Sequence, residues 1–290
     1  SPRSGISGSM VAMRSRLRAM AAETLEIVAR GGYPGVVIGP EIAEAVAATR
    51  LYLPDDPVGE PSPVDGPAVV EVTNETSLAA ARRLGGDVAC LNFASAGSPG
   101  GGFRNGAQAQ EESLARSSAL YPCLCAAGDF YTYHRAHPEL TYTDRVVYSP
   151  AVPVFRDDAG DLLPSPYLVS FLTAAAPNRA AIERNQPNLL PQVPEALARR
   201  AARVLRIAAA HGHRRLVLGA WGCGVFGNDA DVVAETFAAA LREGPWFERV
   251  VFAVLDGRPA TPTYAAFAGL FGNGVPPAPS HSPAARRDSR

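Results

Sequence analysis

The stretch VACLNFASAGSPGGGFRNGAQAQEES, residues 88–113, joins a short apolar run to three consecutive glycines and then to two adjacent glutamates. The apolar run predicts a strand buried on both faces, as in the centre of a parallel sheet. Consecutive glycines cost backbone entropy and neighbouring carboxylates repel each other, so packing alone explains this combination poorly. We therefore take the stretch as the first candidate for a functional site.

A second stretch repeats the arrangement. RRLVLGAWGCGVFGN, residues 214–228, is again an apolar strand pattern that runs directly into a glycine-rich loop, and a helical pattern follows. In open α/β sheets, ligands bind beyond the carboxyl ends of the strands. Main-chain N–H groups beside a helix N-terminus can bind an anion without any lysine. We expect the two loops to face each other and to hold a diphosphate between them.

The rest of the chain alternates apolar strand patterns with helical patterns. This alternation predicts a three-layer α/β/α sandwich with a mixed, mostly parallel sheet and extra N-terminal helices. Among the helices we expect one over residues 10–31 and one with helical spacing through QAQEESLARSSALYPCL, residues 108–124. Asn74 or Thr76 is expected to cap the helix that ends at Gly85.

No change of composition divides the body of the chain, so we predict one domain. Its catalytic body is residues 65–274, and residues 10–64 form a helical accessory segment of the same domain. Residues 1–9 are small, polar and unpatterned, and we interpret them as a vector-derived scar. The proline- and serine-rich residues 275–290 predict a disordered tail.

Composition excludes several function classes. The chain has 290 residues, of which 47% are apolar and 19% charged, and its net charge is −1. A near-neutral charge argues against direct nucleic-acid binding, and no apolar run is long enough for a membrane span. All 27 basic residues are arginine, which excludes a Schiff-base lysine, a phosphate-loop lysine and a serine–lysine pair. A cytoplasmic enzyme is the expectation.

The cysteines and histidines suggest no metal site, and we assign no metal and no cofactor. Cys90, Cys123, Cys125 and Cys223 fit neither a zinc spacing nor a disulfide framework, so we expect buried, reduced thiols. The two histidines that flank Gly212 lie at a predicted helix end, where bonds to main-chain carbonyls are a better explanation than metal ligation.

Glu111 and Glu112 lie at or near the start of the helix that follows the first loop. Adjacent helical residues project about 100° apart, so the two carboxylates cannot have the same task. A structural explanation remains open, because acidic residues are favoured in the first turn of a helix. The functional alternative is one acid–base carboxylate, which contributes roughly 10²–10⁴ in rate, next to a second carboxylate that positions the ligand.

The glycine triplet followed by Gln-Glu-Glu resembles the signature of poly(ADP-ribose) glycohydrolases, which have a macrodomain fold. The resemblance is greatest to the short bacterial-type members and extends over VTNETSLAAARRL, LNFASAGSPGGG, YSPAVPVFRDD and LVLGAWGCGVFGND, roughly residues 65–256. It implies hydrolysis of ribose–ribose O-glycosidic bonds in poly(ADP-ribose), from the chain end, with ADP-ribose as product. The implied partners are poly(ADP-ribose) or ADP-ribosylated proteins, with neither nucleic acid nor membrane.

The resemblance also implies roles for individual residues. Glu112 would protonate the leaving hydroxyl and then activate water, Glu111 would hold the hydroxyls around the scissile bond, and Asn92 would fix the terminal ribose. Phe226 would pack against that ribose, although a plain core role remains open for it. Glu75 is our choice for the polar edge of adenine. The remaining substrate-binding residues that it implies are Gly100, Gly101, Gly102, Gln110, Gly222, Cys223, Gly224, Val225 and Gly227.

Two other functions remain open. A macrodomain that binds ADP-ribose without cleaving it would need the loops but not the paired carboxylates. An NAD-dependent oxidoreductase would use Gly222–Gly227 as a G-x-G-x-x-G motif, but Asp256 follows it at more than the usual distance of about 20 residues. The tyrosine-rich segment from Asp129 to Phe155 is either a packed surface element or a wall of the cleft.

Overall fold

A computed structural model of the chain describes residues 4–256, 261–272, 274–276 and 278. Its strands are β1 (Gly32–Tyr33), β2 (Val36–Val37), β3 (Arg50–Tyr52), β4 (Val69–Thr73), β5 (Val88–Phe93), β6 (Val146–Arg156), β7 (Leu162–Ala174), β8 (Arg215–Leu218) and β9 (Arg249–Ala253). Its helices are α1 (Ser4–Arg30), α2 (Gly39–Ala48), α3 (Ser77–Leu84), α4 (Gln110–Ser117), α5 (Leu120–Ala126), α6 (Asp129–Ala136), α7 (Arg179–Asn185), α8 (Val193–Ala210), α9 (Ala230–Leu241) and α10 (Pro262–Phe271).

Seven strands form the central sheet, in the order β3-β6-β7-β5-β8-β9-β4. The five strands from β7 to β4 are parallel, whereas β6 pairs antiparallel with β7 and β3 antiparallel with β6. Because β6 runs in the opposite direction, its amino end lies beside the carboxyl ends of the parallel strands. The predicted mixed, mostly parallel sheet is confirmed.

The core consists of one apolar layer on each face of the sheet. Ala89 and Leu91 of β5 face a cluster built with α8, α9 and α10, whereas Val88 and Cys90 face a cluster built with α2, α3 and α5. This alternation follows from the two-residue period of a strand. It explains why β5 is apolar at every position except Asn92, and it confirms the three-layer sandwich and the central position of this strand.

The N-terminal segment contributes more than helices. Its strand β3 pairs with β6, so residues 50–52 form one edge of the central sheet. Residues 4–9, which were interpreted as part of a scar, lie in α1. None of the helices in the described residues is long and apolar enough to cross a bilayer.

Some local predictions are confirmed and others are wrong. Thr76 caps α3, because its side chain accepts a hydrogen bond from the Ala79 N–H at 3.0 Å, and Gly85 ends that helix. The helical pattern over residues 108–124 is two helices, since Ser118 is extended and forms a bridge with Val154 of β6. The pairing of Ser118 with a strand stops α4 in a way that apolar spacing does not reveal.

The cysteine prediction is partly wrong. All four cysteines are free thiols, but only Cys90 and Cys123 are buried, whereas Cys125 is exposed and Cys223 half-buried. Cys125 is the last but one residue of α5, on the face that the core does not cover. The predicted tail lies outside the described residues except for 275, 276 and 278. The Pro276 carbonyl accepts a hydrogen bond from Arg242 at 2.8 Å.

Candidate active site

The site lies where β5 and β8 separate. The two strands pair from Val88 to Cys90 on β5, and the ladder ends at the Cys90–Val217 pair. Beyond that point β5 continues to Phe93, and each strand runs into its glycine loop. The divergence of adjacent parallel strands opens a crevice at their carboxyl ends, which is the usual ligand position in such sheets.

Gln110 attaches the start of α4 to the freed edge of β5. Its Oε1 accepts the Phe93 N–H at 2.9 Å, and its Nε2 donates to the Leu91 carbonyl at 2.7 Å and to Ser77 Oγ at 3.2 Å. The side-chain amide thus replaces the main-chain partners that β8 no longer supplies. These contacts place Gln110 in a positioning role, and its predicted substrate contact remains a prediction.

Glu111 is almost completely buried, with 3% of its surface exposed. Its Oε2 accepts the Ser95 N–H at 2.6 Å, and Asn92 Nδ2 lies 3.4 Å from its Oε1. The pKa of Glu111 is raised to about 8, because burial and, to a smaller extent, the neighbouring Glu112 outweigh the hydrogen bonds that lower it. Glu111 therefore holds a proton at neutral pH while its two oxygens are fixed in place.

Glu112 is only half-buried and lies on the first glycine loop. The Gly102 N–H donates to its Oε1 at 3.2 Å, and its Oε2 has no hydrogen-bond partner among the described residues. Gly101 has φ of +59°, and a Cβ there would lie 2.6 Å from Glu112 Oε1. The second glycine of the triplet is thus required both by the backbone conformation and by the closeness of the carboxylate.

The glycine triplet faces inward, toward the glutamates. The Gly101 N–H donates to the Ser98 carbonyl at 3.0 Å, and the Gly100 N–H lies against Glu111. A Cβ on Gly100, which has φ of +71°, would lie 2.8 Å from the Phe103 ring. Since these donors are already engaged inside the protein, the diphosphate contact that the resemblance implies for the triplet stays a prediction.

Asn92 lies beneath Glu111 and is fully buried. Its Nδ2 donates to Thr173 Oγ1 on the neighbouring strand β7 at 3.1 Å, whereas its Oδ1 has no partner among the described residues. Asn92 therefore helps to position the Glu111 carboxyl group through its side-chain amide. A contact between Asn92 and a ribose stays a prediction.

The second loop keeps free donors. The main-chain N–H groups of Gly224, Val225 and Phe226 form no hydrogen bond within the described part of the chain. Val225 is 92% exposed, so the tip of the loop points into solvent. Three consecutive free N–H groups form the kind of concave surface that binds an anion.

Asn228 and two glycines with left-handed backbone conformation fix the shape of the second loop. Asn228 Nδ2 donates to the carbonyls of Pro177 and Gly222 at 2.8 and 3.0 Å. Gly222 and Gly227 have φ of +70° and +68°, and a Cβ on either would approach a neighbouring side chain closer than 3.0 Å. These hydrogen bonds and glycine conformations fix the shape of the loop.

Two adjoining cavities occupy the crevice. The smaller, of about 230 Å³, is lined by both glutamates, Phe226 and the second loop. The larger, of about 590 Å³, contains Glu75, Cys223 and Asp256, and α1 supplies part of its wall. Both share the Phe93 side chain. Glu75 lies where a base could reach it, although one of its oxygens already accepts from Arg83 at 2.6 Å.

Sequence reasoning missed several supporting residues. Ser95 holds Glu111, Thr173 holds Asn92 and Asn228 holds the second loop, as described above. Only Asn228 carried a signal, since it directly follows the last glycine of its loop. Ser95 acts through its main chain and Thr173 through strand pairing, so neither is visible in the sequence.

The histidine prediction is confirmed in part, because His213 Nδ1 donates to the Asp87 carbonyl at 3.0 Å. His211 and His213 also bond to the hydroxyls of Tyr52 and Tyr148 at 2.7 and 2.6 Å, and they lie at the amino ends of the parallel strands, opposite the crevice. Among the described residues, no group of three or more histidine, cysteine, aspartate or glutamate side chains could hold a metal ion.

Comparison with known proteins agrees with this geometry. The family model for the microbial-type PARG catalytic domain matches residues 21–157. The poly(ADP-ribose) glycohydrolase of Thermomonospora curvata is 53% identical, with a TM-score of 0.83, over 89% of this chain and all of that one. The chain belongs to the microbial-type poly(ADP-ribose) glycohydrolase family. The resemblance inferred from the glycine and glutamate motif is confirmed.

Other solved structures of the family hold ligands. The Thermomonospora curvata glycohydrolase with the inhibitor ADP-HPD matches with a TM-score of 0.80, again at 53% identity over 89% of this chain and all of that one. The Deinococcus radiodurans glycohydrolase in complex with ADP-ribose matches at 46% identity, with a TM-score of 0.74, over 80% of this chain and 98% of that one. The search of curated proteins gave no match.

Proposed function

We propose that this glycohydrolase cleaves the ribose–ribose O-glycosidic bond of poly(ADP-ribose), with Glu112 as its single acid–base catalyst. The observation that carries the assignment is the contrast between the two adjacent glutamates. Both oxygens of Glu111 contact the protein, whereas Glu112 keeps Oε2 free and lies in the smaller cavity. A catalyst needs a free oxygen at the reacting bond, and a positioning group needs a fixed one.

Substrate placement follows from the two cavities. The adenosine part of the terminal unit occupies the larger cavity, where Glu75 offers its free oxygen to the base edge. The diphosphate lies against the N–H groups of Gly224, Val225 and Phe226, which supply donors without any lysine. The distal ribose then enters the smaller cavity beside the glutamates, with Phe226 along its wall.

The reaction begins when Glu112 acts as general acid and donates a proton to the bridging oxygen as the bond from that oxygen to the anomeric carbon breaks. The leaving group departs as a ribose hydroxyl, and the terminal sugar becomes an oxocarbenium-like cation. Glu112, now a carboxylate, accepts a proton from the water that attacks the anomeric carbon. The products are ADP-ribose and a chain shorter by one unit, and Glu112 regains its proton.

Glu111 assists without transferring a proton. Its raised pKa keeps it neutral at physiological pH, so the carboxylate that forms on Glu112 has an uncharged neighbour. A neutral carboxyl group can also donate a hydrogen bond to a ribose hydroxyl. The separation of about 5–9.5 Å between paired carboxylates in many glycosidases does not apply, because neighbouring residues of one helix cannot flank a bond.

Substitution of the two glutamates tests this assignment. Glu112→Gln should lower kcat on poly(ADP-ribose) chains by at least about 10²-fold, the lower range for a lost acid–base group, while binding of ADP-ribose is kept. Glu195→Gln, which changes an exposed first-turn glutamate of α8, is the matched control. Near wild-type turnover in Glu112→Gln, or a larger loss of turnover in Glu111→Gln, would show that the assignment is wrong.

Four finer statements are part of the proposal. We propose release from the chain end, because α1 and Asp157 bound the larger cavity and leave little room for a further unit on the adenosine ribose. We propose ADP-ribosylated proteins as carriers of the substrate, and the cytoplasm as the location. Residues 10–64 are proposed to be an accessory layer of the same domain, since Leu17 lines the larger cavity.

A further inference from the structure

The segment from Gly128 to Arg145 lies on the side of the smaller cavity that faces away from the larger cavity. It leads into the amino end of β6, where Val147 pairs with Thr173 near the carboxyl end of β7. Along the sheet, the larger cavity lies at β4 and β9, the glutamates at β5, and this segment beyond β7. A chain that enters through the larger cavity and passes the glutamates therefore continues toward this segment.

The segment contacts both glycine loops. Arg135 of α6 donates from Nη1 to the carbonyl of Gly97 at 2.8 Å, two residues after the main-chain group that holds Glu111. The ring of Tyr142 lies 6.0 Å from that of Phe226, in the second loop. The segment thus contacts the two loops that line the crevice, and we call it the wall. That it acts as a lid or wall over the cleft stays a prediction.

The wall contains two arginines without carboxylate partners, although Asp129 and Glu139 also lie in this segment. Neither Arg135 nor Arg145 forms an ion pair within the described residues, and Arg135 is exposed. Asp144, which lies next to Arg145, is instead held by Arg199 and Arg200 at 3.0 and 3.2 Å. An unpaired guanidinium beside a crevice can form charge-assisted hydrogen bonds to phosphate.

The same wall carries a stack of flat side chains. The guanidinium of Arg145 lies 3.4 Å from the ring centre of Tyr133, and the imidazole of His137 stacks on Tyr133 at 3.7 Å. Tyr133 is therefore covered, while His137 is exposed at the end of the stack. Exposed aromatic and guanidinium faces are the surfaces on which nucleobases stack.

We infer that this wall binds the leaving unit of the polymer, with its diphosphate on Arg135 and its adenine on the stack that ends in His137. The inference rests on the proposed function and adds to it a second nucleotide subsite. The chemistry fits, because the leaving group of each cleavage is the adenosine ribose of the next unit, which carries one base and one diphosphate. Both meet the wall only while the glycosidic bond is intact.

Two substrates separate this subsite from the catalytic centre. One is a poly(ADP-ribose) oligomer, and the other is ADP-ribose with a nitrophenyl group on its anomeric oxygen, which has no second nucleotide. Arg135→Ala should lower kcat/KM on the oligomer about tenfold, as expected for one charge-assisted hydrogen bond, and leave the nitrophenyl substrate unchanged. His137→Ala should lower kcat/KM on the oligomer about fivefold, as expected for lost stacking, and serves if Arg135→Ala does not fold.

The matched control is Arg214→Ala. Arg214 is an exposed arginine just before β8, at the amino ends of the parallel strands and therefore away from the crevice. The inference is overturned if both wall variants cleave the oligomer like this control, or if they slow both substrates equally, which would indicate damage to the glycine loop. In either case the proposed function stands as long as the wild-type enzyme cleaves the oligomer. If the wild-type enzyme cleaves neither substrate, the proposed function itself fails.

Discussion

The raised pKa of Glu111 predicts an unusual dependence of stability on pH. A buried carboxyl group that holds its proton in the folded protein but not in the unfolded chain destabilises the fold as pH rises. Glu111→Gln removes this titration and keeps the shape of the side chain. The variant should therefore lose less stability than the wild-type protein between acidic and neutral pH.

The magnitude follows from the two pKa values. The pKa is 4.5 for the ordinary group and about 8 in the folded protein. The folded state thus binds the proton more tightly, and stability that is present below about pH 4.5 is lost progressively up to about pH 8. From about pH 5 to about pH 7.5 this single group lowers the free energy of unfolding by about 3 kcal/mol.

Urea unfolding at a series of pH values measures the effect. The difference in free energy of unfolding between Glu111→Gln and the wild-type protein should rise by about 3 kcal/mol across that interval, whatever constant offset the amide introduces. Glu195→Gln, which changes an exposed glutamate in the first turn of another helix, is the control for a glutamate-to-glutamine substitution outside the buried site. A flat difference for Glu111→Gln would refute the idea that burial keeps this carboxyl group protonated.

Two further substitutions test how the loop and the helix position the catalyst. Gly101→Ala should lower kcat by about 10²-fold, because a Cβ 2.6 Å from Glu112 displaces its carboxylate. The control is Gly35→Ala. Gly35 has φ of +81° and a Cβ there would meet no atom within 4 Å, so this variant should have a similarly strained backbone but full activity. Equal activity of the two variants would contradict this. Gln110→Ala should lower the free energy of unfolding by about 2–4 kcal/mol and reduce turnover, because it leaves main-chain groups of β5 without partners, and denaturant unfolding with parallel rate measurements checks both effects.

The fold was predictable where one residue pattern had one physical explanation. β5 is apolar at every position except Asn92 because it is covered on both faces, so its central place followed directly from its sequence. Thr76 and Gly85 mark the ends of α3 by capping chemistry that is local to a few residues. Each of these predictions depends on contacts close in sequence, or on burial alone.

Features that depend on distant pairing could not be predicted. Ser118 ends α4 by pairing with Val154, and β3 becomes an edge strand only because β6 lies beside it. The difference between the two glutamates is of the same kind. In the sequence the two adjacent glutamates are equivalent. In the structure Glu111 is buried against Asn92, which makes it a fixed and protonated group, whereas Glu112 remains accessible.

The spacing of the signature is itself explained by geometry. Gln110 has to bond to two residues of β5, namely Phe93 at the strand end and Leu91 two residues before it. These bonds fix where α4 begins. Once α4 begins there, Glu112 lies on the glycine loop, and only a glycine at position 101 leaves room for it. The glycines and Gln-Glu-Glu therefore constrain one another through the position of a carboxylate as well as through any ligand, which is why a single short motif was sufficient to indicate the family and to propose a catalytic residue.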